Sequence, residues 1–159
     1  MKYAFLALVL IPLALSGCAG APEIQAAAPA EARTYGASLE DRIAYYADLY
    51  EVPESLIRRS IERESGYNPK ARHGPYWGLM QIRVDTARGL GFKGAPRDLL
   101  DADTNLKYAA AYLSNAYLIA GGNPDRAIAL YAGGYYYEAR RKGLLGKLRK
   151  PDEFVKSAE

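Results

Sequence analysis

In the stretch SIERESGYNP, Ser60 to Pro69, two glutamates stand two positions apart in a row that otherwise reads as an amphipathic helix. Helical spacing puts Leu56, Ile57, Ser60, Ile61 and Glu64 on one side, with Arg58, Arg59, Glu62 and Arg63 elsewhere. Glu62 therefore belongs to the charged face. Glu64 continues the apolar stripe in the last turn, where the negative end of the helix dipole also opposes a carboxylate. Both effects favour the protonated acid, which is what general acid catalysis of glycoside cleavage requires. Stability alone would not select glutamate there, so Glu64 is the candidate catalytic residue. No second carboxylate has a comparable setting: Asp85, Asp98, Asp101 and Asp103 each read as loop or cap residues.

The elements that must position Glu64 are helical. Ser38, with Asp41 three residues on, caps a first helix to about Tyr50. Pro53 suits the first turn of the Glu64 helix, and Gly66 followed by Asn68-Pro69 should stop it. Ala71 to Pro75 reads as loop, and Trp77 to Ile82 is too apolar for a surface excursion. A short helix from Asp85 or Thr86 to Gly89 is followed by a loop containing Gly91, Gly94 and Pro96. Asp103 is expected to cap a long helix, with Leu106, Ala110, Leu113 and Tyr117 at helical spacing until Gly121-Gly122. Asn123-Pro124 opens another helix to Tyr131, and a last one takes in Tyr135 to Lys142. The expected fold class is all-α, a compact multi-helix domain with short connections.

The chain has 159 residues, enough for one domain with a real core. Residues 1–18, MKYAFLALVLIPLALSGC, read as an export signal, since the apolar run is short for a bilayer and Pro12 interrupts it. Residues 19–37 are Ala-, Pro-, Glu- and Gln-rich and read as a flexible linker. The domain is then 38–159, with a basic C-terminal tail. Cys18 is the single cysteine, so no intramolecular disulfide exists. A formal charge of +3 is too balanced to argue for nucleic acid. The cluster Arg140, Arg141, Lys142, Lys147, Arg149 and Lys150 suits either an anionic surface or a solvated face. A lone histidine, His73, makes a metal site improbable, and no cofactor signature is present.

Two resemblances add to this reading. Leu15-Ser16-Gly17-Cys18 resembles the lipobox of bacterial lipoproteins, which implies that Cys18 is acylated and anchors the chain to a membrane, the outer membrane by default because Ala19 is not aspartate. An ordinary signal peptide cut near Ala19 to Ala21 is the alternative. Further on, Glu64-Ser65-Gly66 with Asn68-Pro69, then Gly78-Leu79-Met80-Gln81-Ile82, then Leu130-Tyr131-Ala132-Gly133-Gly134 resemble, in order and spacing, the SLT-type lytic transglycosylases of bacterial cell walls, over about Ser38 to Gly134.

The resemblance implies a lysozyme-like, goose-type-related α domain that cleaves the MurNAc–GlcNAc β-1,4 bond of peptidoglycan without water, leaving a 1,6-anhydro sugar. It gives Glu64 both proton-transfer steps, and puts Ser65, Gly78, Leu79, Met80, Gln81 and Tyr131 at the substrate groove. Tyr131 also reads as core filler with a satisfied hydroxyl, and Ser65 as a local helix-end partner. Trp77 joins the candidate sugar contacts because it borders Gly78. The chain departs from the family pattern twice: Arg72-His73-Gly74-Pro75-Tyr76-Trp77 replaces a loop whose serine assists the substrate's acetamido group, and Ala132 replaces an asparagine. The implied partners are peptidoglycan strands and, through Cys18, a membrane; an envelope or secretion machine stays open as a director. A hydrolytic muramidase and a catalytically silent peptidoglycan-binding scaffold are the alternative functions.

Overall fold

The computed structural model describes residues 38–155. The expected leader over 1–18, the linker over 19–37 and the acylated Cys18 lie outside these residues. Helix α1 spans Leu39–Leu49, and the Ser38 hydroxyl accepts from the Asp41 N–H at 3.1 Å, satisfying one of the orphan donors of the first turn. Helix α2, Glu54–Ser65, starts after Pro53 and ends at Gly66, whose φ of +57° is the left-handed geometry that costs a β-carbon-free residue least.

Between α2 and the next helix lies the one departure from an all-helical domain. Strands β1 (Arg72–His73), β2 (Tyr76–Trp77) and β3 (Ile82–Arg83) form a small antiparallel sheet in that order, with Arg72 opposite Trp77 and Trp77 opposite Ile82. The turn joining β1 to β2 is Gly74-Pro75, with Gly74 at φ +60°. Two-residue strands are too short to produce an alternating hydrophobic pattern, which is why this segment reads as loop followed by a buried apolar run.

Helix α3 (Val84–Gly89) and a 3-10 turn over Pro96–Leu100 lead into α4, Ala102–Ile119, the axis of the domain. Leu106, Ala109, Ala110 and Leu113 of α4 are fully buried, and the alanines let α1 and α5 (Pro124–Gly133) approach closely. The end of α1 is pinned to α4 by the Tyr50 hydroxyl, which donates to the Lys107 carbonyl at 2.7 Å, and by the Ser114 hydroxyl, which donates to the Tyr50 carbonyl at 2.8 Å. Helix α6 (Tyr136–Arg141), a 3-10 turn at Leu145–Lys147 and α7 (Pro151–Val155) complete the described chain. Phe154 of α7 is buried edge-on against Tyr50, so the stretch after Arg149 is part of the core rather than only a basic tail. The described fold is mostly α, with one small sheet.

Asp101, not Asp103, caps α4. Its backbone is extended, and its carboxylate accepts from the Thr104 N–H at 2.8 Å, whereas Asp103 already lies in the first helical turn. That hydrogen bond is the main cause holding the Asp101 carboxyl below the ordinary carboxylate range. Asp101→Ala should lower the unfolding free energy by about 1 kcal/mol in urea titrations at neutral pH. Because the folded-state pKa is depressed, this contribution is complete above the unfolded carboxylate pKa and is lost as pH falls through the lower folded value. The difference between parent and variant should therefore shrink in acid; a gap that stays constant to low pH would rule out the cap as its source.

Candidate active site

Glu64 enters the site from the last turn of α2, and the chain then reverses through two successive left-handed residues, Gly66 and Tyr67 (φ +57° and +65°). The reversal takes the backbone away from the Glu64 carboxyl and leaves it facing a groove. Its side chain is 24% exposed, and Arg63 Nε stands 3.7 Å from Oε1, beyond hydrogen-bond reach.

The opposite wall is the tight turn Gly78–Gln81 between β2 and β3. Its position is set from beneath by Asn105 of α4, a fully buried side chain whose amide is used completely. Oδ1 accepts from the Met80 N–H at 3.0 Å, and Nδ2 donates to the Trp77 and Leu99 carbonyls, both at 2.8 Å. A β-carbon on Gly78 would lie 2.3 Å from both the Leu99 carbonyl oxygen and Asn105 Nδ2, and its φ is +71°. Glycine is required there twice, for backbone angle and for space. Gln81 follows at φ +49°, a conformation that costs a non-glycine residue of order 1–3 kcal/mol unless its surroundings hold it. They do: Nε2 donates to the Ala71 and Gly78 carbonyls at 3.1 and 2.7 Å, and Oε1 meets His73 Nδ1 at 2.8 Å.

Helix α5 supplies the third side. The Tyr131 hydroxyl donates to the Met80 carbonyl at 2.7 Å, and its ring packs edge-on against Tyr112 of α4 at 5.4 Å between centroids. Burial, with the nearby charge of Glu64 and then Tyr112 adding to it, drives the Tyr131 hydroxyl well above the ordinary phenol pKa. It is thus a permanently protonated donor within the electrostatic reach of Glu64. The three segments enclose a groove of about 490 Å³, which Glu64, His73, Tyr76, Gln81, Tyr112 and Tyr131 line together with Arg63, Arg83 and the backbone of Ala132 to Gly134.

Of the residues singled out from the sequence, Glu64, Gln81 and Tyr131 meet in this groove. The others stand behind it. Leu79 and Met80 are fully buried, so Met80 contributes a carbonyl and not a side chain. The Ser65 hydroxyl donates to the Ile61 carbonyl of its own helix at 3.2 Å. Trp77 packs against the core beneath Arg72, whose guanidinium lies 4.2 Å from the ring centroid, and the ring does not line the groove. The Tyr131 hydrogen goes to Met80, not to Glu64. Sequence reasoning missed Asn105, which looks like one more polar position in a long helix, and missed His73, Tyr76 and Tyr112 as lining residues. Only the interruption of the apolar stripe of α4 by Asn105 beside Leu106 hinted at a buried amide.

A mostly helical domain with a short sheet and a carboxylic acid at a helix end in an open groove is the arrangement that the lysozyme-like reading of the sequence anticipates. The Transglycosylase SLT domain family model matches residues 41–150, most of the chain, and the protein belongs to that family. Family membership makes it, in general terms, a lytic transglycosylase acting on peptidoglycan. No solved structure matches the chain.

Asn105→Ala would leave the Met80 N–H and two carbonyls without partners in the interior, and should destabilise the domain by about 3 kcal/mol in urea unfolding. Gly78→Ala should cost at least about 2 kcal/mol through the clash and the backbone angle together. A Gly78→Ala chain as stable as the parent would mean that the turn is not held where it is described.

Proposed function

We propose that the protein cleaves the MurNAc–GlcNAc β-1,4 bond of peptidoglycan by intramolecular transglycosylation, with Glu64 as the single acid and base. The observation that carries this reading is that Glu64 is the only carboxylate among the described residues lining the groove. Hydrolases that retain or invert configuration use two carboxyl groups across the scissile bond, one of them to activate water or attack the sugar. A site with one carboxyl suits a substrate that supplies its own nucleophile.

In the first step the Glu64 carboxyl gives its proton to the glycosidic oxygen as the bond from that oxygen to the MurNAc C1 breaks, releasing the GlcNAc end as an alcohol. In the second, the Glu64 carboxylate takes the proton of the MurNAc 6-hydroxyl while its oxygen bonds to C1. The carboxyl is regenerated, and the product carries a 1,6-anhydro ring with no water consumed. A bound sugar would cover the exposed part of Glu64, removing water from the carboxyl at the moment the proton is transferred. The protonated Tyr131 hydroxyl, fixed on Met80, keeps the floor of the groove rigid beside the acid. Ala132 offers no amide, so the polar contacts to the sugar must come from elsewhere in the groove.

The reading extends to placement in the cell. Export through residues 1–18 and acylation of Cys18 rest on the sequence of that segment and would tether the domain through residues 19–37 to a membrane facing the wall, by default the outer membrane. Cys18→Ser should abolish incorporation of labelled palmitate and release the protein into the soluble fraction; unchanged labelling would exclude acylation at that cysteine.

Glu64→Gln keeps the shape of the side chain and removes the transferable proton, so turnover should fall roughly 10²- to 10⁴-fold. Mass spectrometry of digested peptidoglycan checks both product and residue. Anhydro-muropeptides from the parent and none from the variant are expected. Reducing termini would mean hydrolysis by a muramidase, and binding to the wall without fragment release would mean a silent scaffold.

A further inference from the structure

We infer that His73 is a substrate-contacting residue of this groove, presenting an unprotonated Nε2 as a hydrogen-bond acceptor to the bound sugar, and that Gln81 is the residue that sets it in that state. The inference rests on the reading of the groove as the glycan site.

The Gln81 amide has no freedom of orientation. Its nitrogen donates to two backbone carbonyls, those of Ala71 and Gly78. Exchange of N and O would turn a carbonyl oxygen against two others in a buried position. Oε1 therefore faces His73, 2.8 Å from Nδ1, and an amide oxygen only accepts. The proton must be on Nδ1. In the neutral ring Nε2 is then bare, and among the described residues it has no hydrogen-bond partner. The ring itself lines the groove that Glu64 enters from α2.

The same accounting removes Gln81 from direct donation to a sugar, because both of its N–H groups are used on backbone. Polar recognition moves one residue outward, from the buried Gln81 to the exposed His73 at the end of β1, in the very segment where the chain departs from the family pattern. A peptidoglycan sugar offers two kinds of donor to an imidazole lone pair, the acetamido N–H and the hydroxyls. Both belong to the same ligand chemistry, and a bare ring nitrogen accepts either.

His73 is the only histidine in the chain, so its ring nitrogens give two unambiguous signals in a long-range ¹H–¹⁵N spectrum. In the neutral ring of the protein as isolated, Nδ1 should appear protonated and Nε2 bare; a neutral ring with its proton on Nε2 overturns the inference. Titration of the Glu64→Gln chain with N-acetylglucosamine tetramer should shift Nε2 together with the backbone amides of Gln81 and Tyr131. A shift also produced by cellotetraose assigns the donor to a hydroxyl, and one confined to the N-acetylated oligomer assigns it to the acetamido group. Groove amides that move while Nε2 stays fixed overturn the role of His73 and leave the glycan groove intact. Groove amides that ignore the N-acetylated oligomer remove the function on which the inference rests, and the inference with it. In turnover, His73→Ala should raise KM roughly 2- to 10-fold with kcat near the parent value. A loss confined to kcat would contradict a binding contact. The variant also takes the donor from Gln81 Oε1, so its urea midpoint should fall slightly while the domain stays folded.

Discussion

The site depends on one buried amide. Asn105 sits at zero exposure on the central helix and hydrogen-bonds three stretches of backbone at once: the 3-10 turn before α4, the end of β2, and the turn that carries Met80 and Gln81. Burying an amide is costly unless every donor and acceptor is paired, and here the two N–H groups and the oxygen all have partners. The interaction is therefore close to all-or-none. Partial pairing would be worse than an apolar core, which makes the geometry of the turn as sharp as that of the helix beneath it.

From that anchor the rest of the groove follows by direct contact. The turn held by Asn105 offers the Met80 carbonyl to Tyr131, so α5 is located by the same residue that α4 locates. Gln81, one residue on, accepts a strained backbone and converts it into three contacts that fix the hairpin. Glu64 comes from the other side, with Arg63 beside it and Tyr131 within electrostatic reach. One wall is hydrogen-bonded through, the other is a helix end whose carboxyl faces the groove beside Arg63, and a bound chain of sugars would lie between two surfaces of different character.

The helices were legible because their signals are local. Ser38, Gly66 and Asn123 each cap or terminate where their side chains and backbone angles allow, and the apolar stripe of α2 is visible without any neighbour. The cap of α4 was misplaced by two residues, because Asp101 and Asp103 offer the same chemistry and only the backbone bend decides between them. The sheet was not legible, since two-residue strands have no period. In the site, Glu64 stood out through conflict with its own helix face. Asn105 and His73 did not, because their roles are created by partners 25 and 8 residues away in sequence. The basic run near the C-terminus also reads differently once folded: Glu138 draws in Arg141 and Lys142, with Arg126 from α5 beside them, and Arg149 pairs with Glu51, so half of the run is engaged within the domain.

The hairpin that carries His73 touches the interior through very few atoms. Its tip, Gly74-Pro75, is exposed, and what ties the hairpin down is Gln81, which bonds the Ala71 carbonyl and the His73 ring, together with Asn105 on the Trp77 carbonyl. Such a loop is an exchangeable part. The tip residues 74–75 can be rewritten with little effect on the core, so long as the His73 contact and the two amides beneath are kept. A scaffold of this kind can change the rim of its groove at the hairpin tip, while the acid on α2 and the architecture that shelters it stay as they are.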